Sequence, residues 1–353
     1  SQFAKANTMQ VSVSLIAGVS VGDSNAFAGG TQSTYIDGTI ESSELVFIET
    51  HVDANAEAES PTVSIGGLAG VGEAKAIAKT SPTVKTYVGP NGKMVADGDV
   101  TILSDVLTEA DAVVNAVSVS LIAAVSVVTS DSEIAPFIQT FVGEEANFNS
   151  ETDKWEYASS DASVGSLNGN VIIRSLHNAE QGSNQQASAA SDVFDVALAA
   201  SVSVGNTTIN ARANADSSAY VGTGARIEAL SGDLTLESIS ENKSDARMIP
   251  RGGAAVSVSK SNPTATSAGE TRALLLGDIG TINGSLDSDA DTIETTVAGI
   301  NDIGIRALGS NVAVTQIDAS RGGVVAVTTS TATATVSEAS LTTATIGGTI
   351  VSA

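Results

Sequence analysis

The chain has 353 residues, with 16 Lys and Arg against 40 Asp and Glu, a formal net charge of −24, two histidines and no cysteine. That balance argues against polyanionic partners such as nucleic acid, and the missing cysteine removes disulfides, thiolate metal sites and a cysteine nucleophile. Hydrophobic residues make up 42% of the chain but aromatics only 3%, so the core must be thin and built from Ala and Val.

The chain opens on SQFAKANTMQ, which has no basic region leading into an apolar run. The apolar stretches are broken by Ser or Gly before the ~18 residues of a membrane span, so no membrane insertion of this segment is expected. Residues 11–21, VSVSLIAGVSV, are the first strand, and they return at 117–127 as VSVSLIAAVSV with one change. Period-two alternation puts Val11, Val13, Leu15, Ala17, Val19 and Val21 on one face and Ser12, Ser14, Ile16, Gly18 and Ser20 on the other. The Val face is expected to point inward. Followed along the chain, this strand recurs at Val71, Val125, Ser201, Val256 and Ala326, the last two within RGGAAV and RGGVVA.

A second landmark is an aromatic or aliphatic tag ending in glycine: TYIDG at Thr34, TYVG at Thr86, TFVG at Thr140, AYVG at Ala219, LLLG at Leu274 and ATIGG at Ala344. Its third positions, Ile36, Val88, Val142, Val221, Leu276 and Ile346, keep the same spacing as the Val strand to within three residues. A third landmark, GDVTI at Gly98, GNVII at Gly169 and GDLTL at Gly232, has relatives at SELVF (Ser43) and NDIGI (Asn301). Between these lie DANAEAE (53–59), EAKAIAK (73–79), ARANAD (211–216) and TATATV (331–336), where a small residue alternates with a polar one. Such strands suit two walls of backbone that approach closely, with Ala inward.

The pattern predicts an all-β chain: a right-handed parallel β-helix (β-solenoid) over residues 1–353, five to six repeat units of 52 to 55 residues, with about two coils per unit. A dozen coils at ~4.8 Å would make a rod of about 55 to 60 Å. Residues one unit apart would then sit two layers apart. Lateral insertions are expected at one common corner, at 144–167 and 278–301, and the chain reads as a slice of something longer.

The alternating Ala/Val/Ser strands punctuated by TYVG, GDVTI and GDLTL resemble the repeat regions of very large secreted bacterial β-strand-repeat proteins, the filamentous-haemagglutinin-like adhesins and autotransporter passengers. The resemblance covers nearly the whole chain. It implies an extracellular, cell-surface module acting as stalk, filament or adhesin, and it carries over no functional residues. The partners it implies are further repeats of the same protein or end-to-end protomers, with surface glycans or proteins of a host or neighbouring cell beyond them.

Chemistry is sparse. His51 and His177 stand without a GxSxG or HExxH motif, and the glycines of GGLAGVG at Gly66 sit inside the Val strand, where they suit tight packing rather than phosphate. Asp97 with Asp99, and Asp289 with Asp291, are paired carboxylates of the kind a polysaccharide lyase uses, yet no basic cluster accompanies them. No enzyme activity, catalytic residue, cofactor site or metal site is therefore assigned. A carbohydrate-active β-helix, lyase or glycan-binding, is the alternative. Calcium is the one cofactor considered: Asp287, Asp289 and Asp291 have EF-hand-like spacing, with Glu294 nearby, but Thr292 stands where that loop needs Gly and Ala298 where it needs Glu. A solvated acidic loop is the expectation. The first insertion carries KWEY (154–157), whose Trp155 and Tyr157 either recognise a partner or fold down as a lid; the lid is favoured.

Overall fold

The computed structural model of the chain describes residues 1–152, 154–179, 189–229, 232–280, 300–338 and 340–350. These residues form no helix, and the long strands assemble into parallel sheets of nine, eleven and five strands, here sheets A, B and C. The second repeat unit shows the path. Val46–Gly66 lies in sheet A, Ala69–Val88 in sheet B and Lys93–Ala96 in sheet C; Val100–Ser120 then returns to sheet A hydrogen-bonded beside Val46–Gly66. Each unit is thus one layer, and its equivalents in the next unit are direct neighbours.

This corrects the expectation of about two coils per unit. Val19 pairs with Val71 and Val71 with Val125 in adjacent strands, so residues one unit apart are one layer apart. The reason is strand length. The Ala-rich and Val-rich stretches, expected as separate strands, run together into strands of 20 and 21 residues. Six layers at ~4.8 Å rise only about 24 Å from first to last, while a 20-residue strand spans roughly 65 Å.

The repeat landmarks line up as spatial rows. Val46, Val100, Val171, Leu234 and Ile303 are successive neighbours in sheet A. The tag row is Ile36, Val88, Val142, Val221, Leu275 and Ile346 in sheet B, with Leu275 in place of the expected Leu276. The Val row continues through Val204, Val258 and Val327 rather than Ser201, Val256 and Ala326.

The first insertion lies between Phe137–Val142 in sheet B and Ser163–Ser166 in sheet C. The second does not share that corner: the extra chain follows Asp278–Ile279 in sheet C and precedes Ile303–Ile317 in sheet A. A third enlargement had no sequence landmark. His177 pairs with Val106 and Ala189 with Ala110, so twelve positions in one layer match four in the layer below.

Where sheets A and B meet at the turn they almost touch. A Cβ on Gly66 would stand 1.5 Å from the Ala69 carbonyl oxygen, and one on Gly18 would stand 2.5 Å from that of Ile65. Only Gly, Ser, Thr and Ala fit between such walls, so Gly18, Ser20, Ser64, Gly70, Ser118 and Ser126 face inward and are buried. Val13, Leu15 and Val19 face outward, at 71, 93 and 57% exposure. The expected direction of the Val face is therefore reversed. Two of the inward serines bond across the gap: Ser64 donates to the Gly18 carbonyl at 2.7 Å, and Ser118, one layer on, to that of Gly70 at 2.8 Å.

Farther from the turn the walls separate and side chains grow. Ala56, Ala58, Ala76, Ala78, Ala110 and Ala112 fill the next zone, as DANAEAE and EAKAIAK lead one to expect. Val88, Val100, Val142, Ile173, Leu234 and Leu236 fill the wide end against sheet C. A file of hydroxyls crosses the layers in between: Thr86 donates to Thr50 at 2.7 Å, Ser104 to Thr86 at 2.9 Å and Thr140 to Ser104 at 2.7 Å. Satisfied this way, these four buried hydroxyls help to fix the register of each layer on the next.

The Gly-Asp motif has a related use at the corner between sheets C and A. Asp99 accepts from the Asn170 backbone N–H at 2.7 Å, Asn170 from that of Asp233 at 2.9 Å, and Asp233 from that of Asp302 at 3.2 Å. The preceding glycine is required by proximity, since a Cβ on Gly232 would lie 1.9 Å from the Gly169 carbonyl oxygen.

Candidate functional site

The first insertion builds the most distinctive surface feature. Its strands Asn147–Asn149 and Lys154–Glu156 pair antiparallel and form a hairpin over the outer face of sheet B. That face carries a file of aromatic rings from the tags. Tyr35, Tyr87, Phe141 and Tyr220 stack at centroid separations of 5.0, 4.7 and 4.9 Å, nearly parallel, because parallel in-register strands put like residues one strand spacing apart. Tyr35 is exposed, whereas Phe141 and Tyr220 are covered by the insertion. The Ala146 backbone N–H donates to the Tyr220 hydroxyl at 2.8 Å, and Lys85 pairs with Glu145 at 2.6 Å, so the entry to the hairpin is pinned at two points.

Trp155 is the hairpin's own pin. Phe137 stacks on the indole at 5.7 Å, and the Arg272 guanidinium lies 4.2 Å from its centroid. Phe137 and Arg272 belong to strands two layers apart, with Asp216–Val221 between them, so they hold the ring from opposite sides. Arg272 is itself buried and ion-paired to Glu270 at 2.6 Å. Tyr157 meets Tyr220 edge-on at 5.3 Å. Both aromatic residues of KWEY, Trp155 and Tyr157, thus fold down on the wall as a lid.

Beside the pin lies a cleft of about 370 Å³. Phe137, Phe148 and Trp155 line it together with Asn214, Asp216 and Glu270. Burial raises the Asp216 carboxyl pKa, opposed by the Glu270 backbone N–H that it accepts at 3.0 Å. Aromatic rings beside hydrogen-bond acceptors suit a ligand with an apolar face and several donors, such as a sugar ring. Arg272, Phe137, Asp216 and Glu270 were not singled out from the sequence. The tag register locates them, since Arg272 lies two residues before Leu274, the counterpart of Tyr220.

The other candidates fall elsewhere. His51 lies on the exterior of sheet A with Nδ1 3.0 Å from Asp105. His177 is wholly buried in the core, Nε2 2.8 Å from the Thr108 hydroxyl and Nδ1 3.1 Å from that of Ser240. Desolvation lowers its pKa to about 3. The two histidines therefore lie on opposite faces of the sheet. Asp97 and Asp99 accept from the Asn168 side chain and the Asn170 backbone, both at 2.7 Å, and so serve as interlayer tethers. Asp287, Asp289, Asp291, Thr292, Glu294 and Ala298 lie outside the described residues. Among the described residues no group of three or more acidic or histidine side chains is placed to hold a metal ion.

The outer face of sheet A has a carboxylate whose ionisation opposes folding. Burial, with Asp192, Glu109, Glu57 and Glu59 around it, raises Asp111 to about 6. A folded pKa above the unfolded value means that stability declines as pH rises from about 4 to 6. Asp111→Asn should therefore stabilise the chain by about 1–2 kcal/mol at pH 7, after discounting for solvent screening. The gain should vanish below about pH 4, checked by chemical denaturation at both pH values.

A scan of protein-family models, a search of curated proteins and a search of solved structures each return no match to this chain.

Proposed function

We propose that the chain is a structural and adhesive module of a bacterial surface fibre: a right-handed parallel β-solenoid with one turn per repeat unit, displayed outside the cell. The observation that carries this reading is the in-register pairing of equivalent residues from unit to unit, with Val46, Val100, Val171, Leu234 and Ile303 as its clearest row. Such a stack is extended by adding layers, each burying the face of the last. Its end strands offer unpaired backbone to further repeats or to another protomer. The aromatic cleft beside Trp155 supplies the adhesive element, fitted to a glycan or a partner protein.

Two copies of the chain fused in tandem test the fibre reading. Electron micrographs should show the particle lengthened along one axis by about 29 Å, six layers at ~4.8 Å. Two separate beads, or no lengthening, would overturn it. The same protein on a glycan array should bind through the cleft and lose that binding on Trp155→Ala. Release of reducing ends from an acidic polysaccharide would instead establish the carbohydrate-active alternative.

A further inference from the structure

The reversed Val strand leaves an apolar ridge along the whole stack at the turn between sheets A and B. Its central row is Val19, Val71, Val125, Val204, Val258 and Val327, one residue per layer. On the sheet A side runs Val11, Val63, Val117 and Val196, ending at Arg251 in layer five. Leu15, Ile16, Leu68, Leu121 and Ile122 crown the turns and are exposed. Taken together these residues make one continuous apolar ridge running through all six layers, the kind of surface that marks an interaction site.

The row bordering the ridge on sheet B says what covers it. It reads Val21, Glu73, Val127, Asn206, Lys260 and Thr329 from layer one to layer six. Its acid is in layer two and its base in layer five, symmetric about the middle of the stack. A two-fold axis that reverses the order of layers brings layer two of one copy onto layer five of the other, placing each Glu73 against a Lys260. A two-fold axis along the stack keeps the layers in the same order but sets this row against the sheet A side, with Glu73 facing Val63 and Lys260 facing the like-charged Arg251. We infer that the ridge is a lateral interface with a second copy of this chain, the two stacks lying antiparallel in an isologous pair.

Analytical ultracentrifugation of the 353-residue chain at micromolar concentration reads this directly. The chain should sediment as a dimer. Val125→Asp should be monomeric with an unchanged β-sheet circular dichroism spectrum, because that side chain faces outward. Glu73→Lys alone and Lys260→Glu alone should each weaken the dimer at least tenfold, and the double exchange should restore it. Their neighbours in the row are uncharged, so neither change breaks an ion pair within the row. A monomeric wild type, a dimer that survives Val125→Asp, or a double exchange no better than the single ones overturns the inference. So does a monomer that co-sediments with phosphatidylcholine vesicles through the ridge.

Discussion

Gly66→Ala is expected to destabilise the chain by about 3 kcal/mol, the upper end for overpacking, because the added methyl has nowhere to go. The ideal Cβ position at Gly66 is 1.5 Å from the Ala69 carbonyl oxygen, 2.4 Å from its carbonyl carbon and 2.9 Å from the Gly18 amide nitrogen. All three are backbone atoms, so no rotamer change relieves the overlap. Relief requires the turn between sheets A and B to open, and that turn is stacked on its equivalents: the Gly67 amide donates to the Ser14 carbonyl at 2.9 Å, and the Leu68 amide to that of Ile16 at 2.8 Å. Opening one turn therefore breaks bonds to the layer below. Gly38→Ala is the matched control, since nothing lies within 4 Å of its Cβ position; it should shift stability by less than ~0.5 kcal/mol. Urea unfolding followed by circular dichroism compares the two, and equal midpoints would remove the close approach of the walls as the determinant of this corner.

The same close approach explains which parts of the fold can be read from the residues. Spacing alone identifies rows, because a parallel in-register stack repeats each residue's environment once per layer; hence Val46, Val100, Val171 and Leu234 are recognisable as equivalents. Direction cannot be read in this way. VSVSLIAGVSV alternates but for Ile16, and apolar burial favours Val inside by about 25 cal/mol per Å², yet the distance between the walls admits only Gly, Ser, Thr and Ala there. Wall spacing is a property of two strands together, and no window on one strand contains it. The layer count fails for a related reason. Strands in globular proteins average five or six residues, whereas here Asp53, Asn55 and Glu57 alternate with Ala54, Ala56 and Ala58 within one strand, polar outward and Ala inward, without a turn. Residues that look like breaks are the solvent face of a long strand.

The cleft shows the same division. KWEY marked the insertion as aromatic, and the lid reading of Trp155 and Tyr157 follows from an apolar ring above a sheet. Arg272, 117 residues beyond Trp155, becomes its neighbour only through the layer register. Stacking on Phe137 and Arg272 leaves the indole both faces occupied. The cleft beside it brings Trp155 and Phe148 together with Asp216 and Glu270.

His177 gives the second large effect, through pH. Its ring bridges three layers: it lies in one strand, pairs in register with Val106 and Ser240 on either side, and reaches the Thr108 and Ser240 hydroxyls. Burial holds the folded pKa at about 3, while the unfolded chain titrates near 6.5. The sign follows from proton binding. Between these values the unfolded state takes up a proton that the folded state does not, so the stability present above pH 6.5 is lost as pH falls toward 3. The limiting slope is about 1.4 kcal/mol per pH unit, so roughly 3 kcal/mol disappears by pH 4 from this residue alone. His177→Gln should cost about 1–3 kcal/mol at pH 7.5, where the imidazole is neutral in both states and the loss is one of hydrogen-bond geometry. As pH falls the variant should be overtaken by the wild type's decline, and by about pH 4 the two should be equal or reversed. Denaturation midpoints at pH 7.5, 6, 5 and 4 decide it: a wild-type advantage that stays constant across that range would mean that the ring takes up its proton in the folded core at the same pH as in the unfolded chain. A protonated ring could only donate, so the Thr108 and Ser240 hydroxyls that flank it would both have to act as acceptors.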